Sequence, residues 1–351
     1  TIAATGGNIT GAALGAALGS NSVTIQTGGT GQSGSCTGAT CTGTGSITNG
    51  NGDIFVNDAV SWNTNTTLTL QAHRNININQ TMSGGLSGKL ALQYGQGSTD
   101  GNNIGTAGNN ADYTVNVPVN LAAGDNFSTK KGSGGTQINY TVITQLGQAG
   151  HENTAGNNTL QGMAHTSNLG KNYALGANID ASNTSGWNAS AGFNPIGNNA
   201  SKFKGKFDGL GHTIKDLGIK RESQNYIGLF GWAENAAISN IGLSGGSVSG
   251  EWNVGSLLGR QTGGTITNAY AKNVALKGKH VGGLVGYQID KGVISNSYTE
   301  SVTVQAMTST GGKSGSGGFL GVQEGSSVVG SNSINSSVTG DNATSIYMGG
   351  M

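Results

Sequence analysis

The chain has 351 residues, 65 of them glycine and only 2 proline, with 9% charged and 6% aromatic side chains. An ordinary globular enzyme carries more charge and less glycine, and collagen needs glycine at every third position with abundant proline, so neither description fits. A net charge of +1 removes the electrostatic basis for nucleic-acid binding, which rests on clustered Lys and Arg neutralising phosphates.

From residue 12 to residue 150 the chain alternates in steps of two. Val23-Thr-Ile25, Ile54-Phe-Val56, Leu68-Thr-Leu70, Ile76-Asn-Ile78, Leu90-Ala-Leu92 and Val115-Asn-Val117 each put two large aliphatics on one face of a strand, an inward ladder. Within this stretch Cys36-Thr-Gly-Ala-Thr-Cys41 places two cysteines in a Gly/Thr loop. A disulfide between Cys36 and Cys41 is expected, in keeping with an oxidising, extracellular setting, with free thiols as the alternative. A metal site would need two further ligands, and the nearest histidine, His73, has no ligand-spaced partner. The stretch Lys130 to Gln161 is rich in Gly, Asn and Gln, with one apolar island at Tyr140-Thr-Val-Ile143.

Leu175-Gly-Ala-Asn-Ile-Asp180 and Trp187 to Ile196 lead into Phe203-Lys-Gly-Lys-Phe-Asp-Gly-Leu-Gly-His-Thr-Ile214. Lys202, Lys204, Lys206, Lys215, Lys220 and Arg221 bunch here, mostly at alternate positions, and read as a solvated strand face. One phrase then recurs four times: Ile227-Gly-Leu-Phe-Gly231, Val254-Gly-Ser-Leu-Leu-Gly259, Val281-Gly-Gly-Leu-Val-Gly286 and Ser316-Gly-Gly-Phe-Leu-Gly321. A second strand-like segment follows each phrase, at Ile238, Ile266, Ile294 and Val329, and a third at Val248, Val274-Ala-Leu276, Val302-Thr-Val304 and Val338. The closing glycines lie 28, 27 and 35 residues apart, which suits one coil of a three-sided β-solenoid. In such a fold glycine and asparagine make tight corners and a narrow core needs one or two aliphatics per strand. The fold class is thus all-β, a single elongated rod read as three stretches of one continuous solenoid, 1–150, 151–222 and 223–351. About thirteen coils at a spacing of about 4.8 Å make a rod of roughly 60 Å.

The run Gly52-Asp-Ile-Phe-Val-Asn-Asp-Ala-Val-Ser-Trp62, followed by Thr67-Leu-Thr-Leu70, Ile76-Asn-Ile-Asn79 and Lys89-Leu-Ala-Leu92, resembles the repeats of filamentous-haemagglutinin-like exoproteins exported by two-partner secretion. The later phrases resemble the GLUG repeat, named for Gly-Leu-bulky-Gly, of the same adhesins. Asn172-Tyr-Ala-Leu175, Gly192-Phe-Asn-Pro-Ile-Gly197 and the Phe203 to Ile214 segment are similar to the stretch that precedes those repeats. The resemblance implies a right-handed parallel β-helix from an adhesin secreted by, or held on the surface of, a Gram-negative bacterium and passed through an outer-membrane transporter barrel. The family's N-terminal secretion domain is not evident. No run of about 18 apolar residues could cross a membrane as a helix, and the N-terminus lacks the basic segment and apolar core of a signal peptide. Beginning at Thr1, the chain is expected to be a processed product or an excised piece, unable to direct its own export.

Chemistry is sparse. His73, His151, His165, His212 and His280 are scattered and carry no nucleophile-elbow context. A glycosidase needs two carboxylates facing one cleft, whereas Glu152, Glu222, Glu234, Glu251, Glu300 and Glu324 fall at unrelated positions. In Phe207-Asp-Gly-Leu-Gly-His212, Asp208 followed by Gly209 reads as a structural turn, the carboxylate bonding the backbone two residues on. No catalytic residue, metal or cofactor is expected. Eleven glycosylation sequons are hardly an excess over what chance gives in so Asn-, Ser- and Thr-rich a chain.

Binding is therefore expected where coils lose regularity. The surplus of the 35-residue interval falls in Met307-Thr-Ser-Thr-Gly-Gly-Lys313-Ser-Gly315, and this loop should project, as should Thr30 to Thr44 and Glu152 to Leu169. Trp232, Trp252, Tyr270, Tyr287 and Tyr298 sit at comparable positions of successive coils. They read either as a platform for sugar rings or, the favoured reading, as a ladder stacked for stability. The function expected is a non-enzymatic adhesin stalk meeting a host glycan or surface protein through loops. The alternatives are capture of haem or a haem carrier and a β-helix polysaccharide lyase or hydrolase; self-association of rods stays open.

Overall fold

The computed structural model describes residues 1–5, 7–27, 35–37, 52–97, 110–307, 314–340 and 346–349. Two compact units make up the chain, Thr1–Ile143 with Ala174–Ala177, and Thr144–Tyr173 with Asn178–Met351. Both are built mainly of short strands, and most of these pair in parallel.

In the first unit Ile54–Val56, Val60–Trp62 and Thr67–Gln71 pair in parallel with Ile76–Ile78, Met82–Gly84 and Lys89–Tyr94, each partner 22 residues later. Those three pair with Tyr113–Val115, Val119–Leu121 and Gly124–Lys131, 37 residues on. Three strands thus fill 22 residues here, and the longer second interval has its surplus between Gln93 and Tyr113. Leu68, Leu70, Leu90 and Leu92 face the core in register, each at 1% exposure or less. Burying such a side chain contributes about 1.5–3 kcal/mol before its entropy is subtracted.

Three expectations for this unit change. Val117 is only half-buried: the strand stops at Val115, Pro118 has no N–H for a ladder, and Val119 takes the next inward place. Strand-like alternation does not begin at residue 12, because Gly11–Leu18 is a helix, capped by Thr10 Oγ1 accepting the Ala13 N–H at 3.1 Å. Gly11 and Gly15 lie against the carbonyls of Ala59 and Ser61, where a Cβ would collide. Finally, Ile138–Ile143 pairs antiparallel with Gly124–Lys131, and Ser35–Thr37 antiparallel with Val23–Gln26.

In the second unit, among the described residues, the strand lines repeat four to six times, the longest running Ile179, Ile214, Leu243, Ala271, Thr299 and Ser333. Ile219, Val248, Leu276, Val304 and Val338 align in one. Ile238, Ile266, Ile294 and Val328 align in another. Val328, not Val329, continues the ladder, and Val329 is 59% exposed. The glycine phrase spans two lines at once. Its first half aligns Ile227, Val254, Val281 and Ser316, and its second half Phe230, Leu258, Val285 and Leu320.

The closing glycines are there for space, since their backbones lie outside the left-handed region. A Cβ on Gly259 would stand 2.5 Å from the Ile227 nitrogen, and one on Gly286 2.5 Å from that of Val254. Left-handed corners fall mostly to other residues: Asn240, Asn268 and Asn296 have φ of 54°, 53° and 49°. Beneath the first phrase Phe203, Phe207 and Phe230 form a buried cluster, with centroids 4.9 and 5.2 Å apart. The Glu152 to Leu169 segment does not simply project. Leu160 and Met163 are fully buried, and the Gln161 amide both donates to and accepts from the Asn194 backbone, at 3.0 and 2.9 Å.

Candidate functional site

The residues just after the closing glycines form a line across successive strands. Trp232 pairs with Arg260, Arg260 with Tyr287, and Tyr287 with Val322. Period-two alternation turns these side chains away from the core, while Ala233, Gln261 and Gln288 next to them point in. The Arg260 guanidinium carbon stands 4.2 Å from the Trp232 ring centre, 5.4 Å from that of Tyr287 and 5.9 Å from that of Tyr226. Its Nε is buried and has no hydrogen-bond partner among the described residues, so ring faces are its environment. Tyr226 leans on Trp232 at 4.7 Å, and the indole N–H donates to Thr262 Oγ1 at 3.0 Å. Lys202 Nζ lies 4.8 Å from the same indole.

Beside this line His280 meets Trp252 edge-on at 4.7 Å and stacks on Tyr287 at 6.0 Å. Lys279 lies over Trp252 and pairs with Glu251 at 2.9 Å. Burial, and then a hydrogen bond with Glu324, pushes the Tyr287 hydroxyl up to about 12.

The five aromatics do not form one series. Tyr270 and Tyr298 are partners on a different strand line, stacked at 5.4 Å and 17°. Tyr270 shares a hydrogen bond of 2.7 Å with Thr213. Lys272 lies within 5.5 Å of both rings and pairs with Glu300 at 2.9 Å, and that bond, followed by one to Tyr298, raises its pKa. Trp252 sits in the turn before Val254–Gly255. Arg260, the residue at the centre of the line, went unnoticed in the sequence. Counting one step past each closing glycine would have found it.

Asp208 is buried at the end of Lys206–Asp208, accepting the Leu210 N–H at 2.8 Å and the Asn240 side-chain amide at 3.0 Å. Gly209 lies against the Asn240 carbonyl, where a Cβ would collide. His212 is also buried, 3.3 Å from Asn178 Oδ1. Among the described residues no three His, Cys, Asp or Glu stand close enough to hold a metal ion. Cys41 and Lys313, and with them the disulfide and most of the loop after Met307, lie outside the described residues; of Cys36 the structure fixes the backbone pairing with Ile25.

Fold and strips together define an all-β repeat protein with parallel sheets. No family model matches the chain, and no solved structure matches it. Over 121 residues it is 40% identical to "Halomucin" of Haloquadratum walsbyi, a stretch covering 33% of this chain and 1% of that protein. Over 81 residues it is 41% identical to a "Putative Gly-rich membrane protein" of Evansella cellulosilytica, covering 22% of this chain and 9% of that one. The chain thus spans a small fraction of either relative. Among the described residues no helix is long and apolar enough to cross a membrane.

Proposed function

We propose that the chain is a segment of a large cell-surface protein, wound as a right-handed, three-sided parallel β-helix, that acts as a non-enzymatic adhesive stalk. The observation that carries this reading is the register of the second unit. Equivalent residues pair over four to six successive repeats, so that outward side chains of like position line up into strips on a sheet. A stacked parallel sheet suits a stalk because each repeat rests only on its neighbours and length is added without a new core. The similarity to a named membrane protein supports a surface location. The burial of Asp208 in turn hydrogen bonds supports a structural role for the acid beside His212. Export through an outer-membrane barrel, and kinship with filamentous-haemagglutinin-like adhesins carrying GLUG repeats, rest on the sequence resemblance.

The test is to present the purified chain to an array of glycans and matrix proteins, and in parallel to incubate it with polysaccharides. Saturable binding without new unsaturated or reducing ends is the expected result. Polysaccharide cleavage by the folded protein would replace the stalk with an enzyme.

A further inference from the structure

We propose that the line Trp232, Arg260 and Tyr287, with Lys202, is a binding track for a carboxylate-bearing polysaccharide, recognised through its charge and not by sugars stacking on bare rings. The proposal rests on the surface-stalk reading and names the ligand class for one face of it.

Four lysines of this unit are neutralised: Lys204 by Glu234, Lys272 by Glu300, Lys277 by Glu222 and Lys279 by Glu251, at 2.7 to 3.6 Å. Lys202 and Arg260 form no ion pair among the described residues, and both stand against the same indole, at 4.8 and 4.2 Å. A ring face orders a cation without cancelling its charge, so the two are held in place without a salt bridge, although Lys202 stands close enough to Glu234 to attract it. Ordering before binding lowers the entropy cost of taking a ligand. The same contacts occupy the Trp232 ring with cations, which argues against that ring as a stacking surface for sugars.

The geometry favours a polymer. Successive positions of the line are one strand spacing apart, about 4.8 Å, a step comparable to the advance of one pyranose along its chain. A guanidinium matches the planar, two-oxygen carboxylate of a uronic acid better than an ammonium does. Glu324, which bonds the Tyr287 hydroxyl and forms no ion pair among the described residues, stands at the track, so a chain with at most one charge per sugar meets less repulsion than a densely sulfated one.

The experiment measures binding of the full chain to immobilised polygalacturonate, dextran sulfate, neutral dextran and poly-glutamate at two salt concentrations. Polygalacturonate should bind best, weakening as salt rises. Arg260→Gln and, separately, Lys202→Gln should each weaken it tenfold or more. Lys202 is a partly exposed residue whose loss leaves no buried group unpaired, so its variant should melt like the parent and keeps the test valid if Arg260→Gln unfolds. The proposal is overturned by equal binding of neutral dextran, by tighter binding of dextran sulfate or poly-glutamate, or by a folded Lys202→Gln chain that binds polygalacturonate like the parent. Array ligands still bound by the Lys202→Gln chain would leave the stalk reading standing while this track falls.

Discussion

Asn268 donates its side-chain amide to the side-chain oxygen of Asn240 at 2.8 Å, although 28 residues separate them in sequence. Both adopt the left-handed backbone, which Asn tolerates better than other residues with a Cβ. Asn240 in turn donates to Asp208 at 3.0 Å. The first unit uses the same device: Asn79 donates to Asn57 at 2.8 Å and Asn116 to Asn79 at 2.7 Å. Stacked amides satisfy one another at corners where a turn leaves polar groups outside the sheet ladder.

Replacing Asn240 should therefore be costly. Asn240→Ala leaves the buried Asp208 short of a donor, about 1–3 kcal/mol, and puts alanine in the left-handed region at about 1–2 kcal/mol more. Asn240→Asp sets a second carboxylate beside Asp208, and two like charges at that distance cannot both ionise. One of the pair then holds its proton to higher pH in the folded state than in the unfolded one. The variant's stability is accordingly best below the ordinary carboxylate range near pH 4 and declines as pH rises through it. Chemical denaturation at pH 4 and pH 7 checks this: the deficit against the parent should widen at pH 7.

Two glycines separate crowding from backbone strain. Gly286→Ala drives a Cβ to 2.5 Å from the Val254 nitrogen, within a sheet that cannot yield locally, and overpacking of that kind costs about 1–3 kcal/mol or more. Gly325 has φ of 56° with nothing among the described residues within 4 Å of its would-be Cβ. Gly325→Ala should lose only the left-handed preference, roughly 1 kcal/mol. Thermal melts of the two variants should rank them in that order.

Alkaline pH should loosen the second unit through Tyr173. Burial pushes its hydroxyl up to about 12, and it donates to the Asn168 carbonyl at 3.3 Å. An unfolded tyrosine ionises near 10. The folded form keeps its proton longer, so this contribution is whole below about pH 10 and disappears between about 10 and 12, at most about 3 kcal/mol. In a melting series from pH 8 to 12, the parent should fall more steeply above pH 10 than Tyr173→Phe.

Much of this architecture could be read from residues. The glycine phrases and aliphatic pairs such as Leu68 and Leu70 mark strand lines because sheet alternation and repeat length act locally. What escaped depends on register. A one-residue slip exchanged Val328 for Val329, since both are valines and only pairing with Ile294 decides which faces inward. Trp232 and Tyr287 stand out as aromatics, whereas Arg260 joins them only once strand pairing puts it between the two on the same line. The Gly11–Leu18 helix was missed because a short Ala/Leu/Gly run has no strong period of its own and gains its stability by packing on the Val60–Trp62 strand. Asp208 was legible as a turn, but its bond to Asn240 requires knowing which residues 32 positions apart are stacked.

The central claim is that successive repeats stack in register, and a cross-link reads it directly. Thr267 and Ser295 are parallel partners with side-chain oxygens 3.1 Å apart. With Cys36 and Cys41 changed to Ser, Thr267→Cys and Ser295→Cys should oxidise almost fully to a disulfide in the folded chain, because strand partners about 4.8 Å apart lie within bridging range. Thr265→Cys with Ser295→Cys, a pair offset by two residues and more than about 7 Å apart, should remain reduced. Efficient bridging of the offset pair with none of the aligned one would contradict the stacked register on which the whole description stands.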